Sequence, residues 1–103
     1  MGFMTGKIME TTDAGLLKGI QKDVACECWF TSTGNTIPRF IKVMDAEGQI
    51  CTVQVLSVEG VERKRFSGIE TVEHICRIAF GGKEQIVKLI LNKLDCKWKI
   101  IFL

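Results

Sequence analysis

Four residues have side chains that could hold a metal ion or attack a carbonyl: Cys26, Cys28, His74 and Cys76. Cys26-Glu27-Cys28 is a C-x-C pair and His74-Ile75-Cys76 an H-x-C pair. On a strand, residues two apart share a face. If the two strands were neighbours, three thiolates and one imidazole would converge as a tetrahedral set suited to zinc. The spacing departs from that of known zinc modules, where two cysteines sit on a turn. Side chains two apart on a strand also stand about 7 Å from each other, which is wide for one ion. The same residues could form a thiol–imidazole nucleophile, with His74, the single histidine, as the base. No catalytic signature surrounds any cysteine, and the thiols fall at apolar positions where they are inert. The expectation is that Cys26, Cys28, Cys51 and Cys76 are small core residues and that His74 lies half-exposed at a strand end. No metal, no cofactor and no enzymatic activity are expected.

Two other groups could bind a macromolecule. Arg63-Lys64-Arg65-Phe66 is a basic cluster with an aromatic beside it, and Arg39-Phe40 and Lys97-Trp98-Lys99 repeat the pairing. On a small barrel, such cations can contact phosphates while rings stack under the bases of a single strand. The competing reading is that Arg63 and Lys64 guard a sheet edge against aggregation. Trp29, opposite Cys28 in an alternating strand, is expected outside the main core as a protein contact. Its alternative is a cover formed by the N-terminal segment. Gly81-Gly82-Lys83 lacks the spacing of a phosphate-binding loop. Glu70 and Glu73 are expected in a solvated loop.

The elements that must position these residues are punctuated by glycine. Alternation predicts strands at Cys26–Thr31, Ile37–Asp45, Gln49–Val58, Val61–Phe66, Glu73–Phe80 and Lys97–Leu103. Thr33-Gly34-Asn35, Asp45-Ala46-Glu47-Gly48, Glu59-Gly60, Ser67-Gly68 and Gly81-Gly82 are the turns between them. Lys83–Leu94 carries both a helical stripe and an alternating one. The two-glycine link decides for a strand, because it makes a hairpin and cannot easily return a helix onto the sheet. Before residue 25 two readings remain: a short helix capped by Asp13 and running through Ile20, or strands around Lys7–Glu10 and Leu17–Val24. The fold class is all-β, a strongly twisted antiparallel sheet curled into a barrel or roll, with one short N-terminal helix as an option. Trp98, Phe102, Phe80, Phe30 and Val53 are the expected core.

Composition narrows the function classes. The chain has 103 residues, 47% apolar and 25% charged, which suits one globular domain over 1–103 with residues 1–24 weakly determined. A net charge of +2 is too small to announce a nucleic-acid partner by itself. No apolar run approaches the roughly 20 residues that span a bilayer, so no membrane partner is expected. The first residues lack the pattern of a signal peptide. Five cysteines in mostly apolar runs fit a reducing, cytoplasmic compartment.

The stretch Cys28-Trp29-Phe30-Thr31-Ser32-Thr33-Gly34-Asn35-Thr36-Ile37-Pro38 resembles a family of short, uncharacterised single-domain proteins of Gram-positive anaerobic bacteria. The likeness continues through Phe40-Ile41-Lys42, Asp45–Ile50 and Gly68-Ile69, and ends at Lys97-Trp98-Lys99-Ile100. It implies a free-standing bacterial domain and brings no activity. The functional expectation is a non-catalytic binding or protein-interaction module, with a homodimer as one form. A barrel binding single-stranded nucleic acid is the alternative, and the Cys/His zinc site the third.

Overall fold

The computed structural model describes residues 19–103. Six strands follow one another: β1 (Gln21–Phe30), β2 (Thr36–Met44), β3 (Ile50–Phe66), β4 (Ile69–Phe80), β5 (Lys83–Asn92) and β6 (Lys97–Phe102). Each pairs antiparallel with the next, and β6 pairs with β1, so the sheet closes into a barrel. The all-β barrel expected from the alternation is thus present, and it is closed. Two strands divide their length between their two neighbours. In β1, residues 21–24 pair with β6 and residues 25–30 with β2. In β3, residues 50–54 pair with β2 and residues 55–66 with β4.

The turns follow from local chemistry. Gly81 and Gly82 both have positive φ, 70° and 81°, as the two-residue hairpin that matches strand twist requires. Ser67 and Gly68 close the β3–β4 hairpin in the same way, at 51° and 82°. The loops after β1 and β2 share another pattern, in which the Thr31 and Asp45 N–H groups donate to the carbonyls of Asn35 and Gln49, four residues later, and Gly34 and Gly48 take the left-handed position.

Bulges make the bends. In β2, Cys28 faces Pro38 while Glu27 faces Phe40, leaving Arg39 as the extra residue. The inward side chains accordingly shift from Thr36 and Pro38 to Ile41 and Val43. Proline suits this place because it has no N–H to give to the ladder. In β3 the register steps between Val55 and Ser57 and again between Val58 and Gly60. Gly60 does not take a positive φ, so Glu59-Gly60 is a bulge within one strand and not a turn between Gln49–Val58 and Val61–Phe66. A bulge and a turn both ask for a small, permissive residue, and sequence alone does not separate them.

The interior is filled by Ile41, Val53, Ile78, Val87, Leu89, Trp98, Ile100 and Phe102, with Phe80 against Phe102. Phe30 is a correction, since 65% of its surface is exposed. Its ladder partner Thr36 lies against β4, whereas Phe30 stands past the end of the packed interior. A helix running through Ile20 is also ruled out: Gly19 has φ of 81° and its N–H donates to the Phe102 carbonyl, and β1 begins at Gln21. The remaining N-terminal expectations, including those for Asp13 and Lys7–Glu10, lie outside the described residues.

Candidate functional site

His74 sits in the middle of β4, opposite Leu89, and is completely buried. The expectation of a half-exposed residue at a strand end fails because β4 starts at Ile69, four residues earlier than the alternation suggested. Both ring nitrogens are engaged. Nδ1 lies 3.0 Å from the Leu89 carbonyl and Nε2 lies 2.7 Å from the Thr36 hydroxyl. A carbonyl only accepts, so Nδ1–H donates to Leu89, and in the neutral ring Nε2 accepts from Thr36. Burial is the main influence on its pKa and holds it below the ordinary value, against the opposing hydrogen bonds. The ring packs on Trp98, 5.4 Å between centroids.

This arrangement leaves no lone pair of His74 for an ion or a proton transfer. Among the described residues, no three His, Cys, Asp or Glu side chains gather as a metal-binding group. Cys26, Cys28, His74 and Cys76 thus do not assemble into the tetrahedral set that their spacing allowed. Cys76 is fully buried, while Cys26 and Cys28 are half-buried against the core. Burial pushes the thiols of Cys26 and Cys76 up to about 12. A thiol so far from ionisation is a packing group, not a nucleophile.

The basic cluster lies on the projecting end of the β3–β4 hairpin and is partly neutralised. Arg63 and Arg65 reach Glu70 at 3.7 and 3.9 Å, and Lys93 reaches the same carboxylate at 3.7 Å. Lys64 and Lys88 lie 3.3 and 3.2 Å from Glu73. Burial alone would raise the pKa of Glu73, but Lys88 and Lys64 together hold it below the usual carboxylate range. Glu70 and Glu73 are therefore strand residues in an ion network, not members of a solvated loop. Phe66, at the hairpin tip, is 81% exposed.

Trp29 stands on the outer surface, paired with Ile37 across the ladder and 58% exposed. The extra residue of the β2 bulge, Arg39, places its guanidinium 4.2 Å from the indole centroid. That is cation–π distance, and the contact restrains the ring. Arg63 donates to the Asn35 side chain at 2.9 Å, linking the β3–β4 hairpin to the β1–β2 turn. The structure thus brings two separately identified features, the Trp29 surface and the basic cluster, to one end of the barrel.

No family model matches the chain, and neither the curated proteins nor the solved structures include a match. The resemblance carried by residues 28–102 therefore rests on those residues alone. Sequence reasoning missed the partner of His74 and the stacking of Arg39. The only signal for either was Thr36-Ile37-Pro38-Arg39, where proline hints at a bulge that moves its neighbours out of register.

Proposed function

We propose that the protein is a non-catalytic interaction module that associates through the Trp29 surface, with a second copy of the chain as the partner. The observation that carries this reading is the large aromatic Trp29, exposed and fixed in place by Arg39, while Trp98 is 8% exposed in the core. Ile37, its ladder partner, adds exposed apolar area beside it. An ordered tryptophan next to an arginine is the composition that dominates binding energy in protein interfaces. The occupied nitrogens of His74 and the high pKa values of the thiols speak against a hydrolytic or transfer chemistry in the barrel.

Light scattering over a range of concentrations tests the reading. The wild type should self-associate, and Trp29→Ala should weaken association by more than about 2 kcal/mol. A wild type that stays monomeric at high concentration removes the homodimer. A variant that melts lower at unchanged mass shows instead that Trp29 is covered within its own chain. Nucleic acid is the second reading, favoured only by the excess of cations near the hairpin. Its phosphate contacts would be few and strongly salt-dependent.

A further inference from the structure

Among the described residues, no strand pairs with β3 on its β2 side beyond Gln54. The chain continues as a regular strand to Phe66, paired only with β4. Phe66 and Ile69 close a two-residue hairpin, and such a closing pair exchanges its main-chain hydrogen bonds. Alternation then assigns the main chains of Lys64 and Glu62 to β4 as well. The N–H and C=O groups of Val61, Arg63 and Arg65 point the other way, to the open side. The residues whose backbone is free to pair are thus two arginines and a valine that is 55% exposed.

The charge around this edge is unbalanced. Among the described residues, the carboxylate partners of Arg63, Lys64, Arg65, Lys88 and Lys93 are Glu70 and Glu73, and Arg63 donates in addition to the Asn35 side chain. Counting Glu62 as well, five cations stand against three carboxylates, an excess of two. The arginine contacts with Glu70 are long, and the Arg63 and Arg65 side chains remain 47% and 67% exposed.

From this geometry we infer that the β3 edge, residues 61–66, receives an extended acidic segment of another protein as an added antiparallel strand. Strand addition supplies main-chain hydrogen bonds for affinity and side-chain positions for choice of partner. On the incoming strand, residues opposite Arg63 and Arg65 lie on one face, two apart, and take carboxylates. A second copy is a poor occupant, because antiparallel pairing about this segment sets the two Arg-Lys-Arg runs side by side. A nucleic acid strand fits less well than a peptide, since phosphodiesters offer acceptors alone and leave the carbonyls of the edge unmet. The inference rests on the interaction-module reading but uses a different surface from Trp29, so each can fail without the other.

The test uses the full chain and a fluorescent peptide of alternating Glu and Val. Three further probes accompany it: the Lys–Val analogue, a Glu–Val peptide N-methylated at alternate residues, and a thymidine oligonucleotide of equal charge. Anisotropy should show binding of the Glu–Val peptide, and no binding of the Lys–Val or N-methylated peptides. Arg65→Glu should weaken it by about tenfold, whereas Lys42→Glu on β2 should leave it unchanged. Equal binding of the N-methylated peptide means plain charge attraction and overturns strand addition. Tighter binding of the oligonucleotide overturns the peptide in favour of nucleic acid. No binding of the Glu–Val peptide at millimolar concentration overturns the inference while leaving Trp29-mediated association to stand on its own measurement.

Discussion

The His74 ring makes stability depend on pH just below neutrality. It is the only histidine, and burial holds its folded pKa below the ordinary 6.5. The unfolded chain therefore binds a proton more readily than the folded one. Stability is complete above the unfolded value and falls as pH drops through 6.5 toward the folded value. If the folded ring stays neutral throughout, moving from pH 7 to pH 5.5 removes at most about 1.3 kcal/mol. Asp23, Glu59 and Glu73 are also held low, but their ordinary values of 3.8 and 4.5 put their losses at more acid pH. Urea unfolding at several pH values from 5.5 to 7.5 measures the slope. His74→Asn, whose amide can still donate to the Leu89 carbonyl, is less stable but should lose the slope across this range. Nuclear magnetic resonance of the wild-type ring provides the direct check. A ring that titrates at or above 6.5, or a variant that keeps the wild-type slope, would refute the neutral Thr36–His74–Leu89 arrangement.

Two glycines distinguish a turn from a bulge. Gly82→Ala forces a side chain into φ of 81° and should cost about 1–2 kcal/mol in thermal or urea melts. Gly60→Ala should be neutral or slightly stabilising, because its φ is ordinary and the nearest atom to an added methyl, on Ile75, is 3.9 Å away; a loss comparable to that of Gly82→Ala would put a turn back at Glu59-Gly60. Thiol labelling in native buffer should modify the exposed Cys96 first and leave Cys26 and Cys76 unreacted until the barrel unfolds. Rapid native labelling of Cys76 would contradict its burial.

What the sequence made legible was the regular part of the barrel. Alternation placed Cys51, Val53 and Val55 on one face, and a two-glycine link was enough to settle β5 against its helical stripe. Both conclusions rest on short-range rules, a period of two and a turn that needs positive φ. Phe30 failed for a long-range reason. Its face was right, but whether that face is covered depends on where β4 ends relative to Thr36, which pairing across the barrel decides. His74 failed in the same way, since its burial follows from four strand residues, Ile69 to Val72, that the pattern gave to a loop.

The features that could do something all lie at such departures from regularity. Arg39 reaches Trp29 because one residue too many sits in β2 opposite Glu27 and Cys28. The β3 edge is open because β3 leaves β2 after Gln54 and steps its register twice on the way to the hairpin tip. A closed barrel removes exposed edges as a source of unwanted pairing, so an edge that remains after closure is a local exception. Here the exception carries Arg63 and Arg65 on its open side. Those charges act against pairing between copies and favour an incoming strand of opposite charge. One set of residues therefore serves both the protection of the edge and the choice of its partner, and a substitution that reverses the charge of Arg65 should impair the two together.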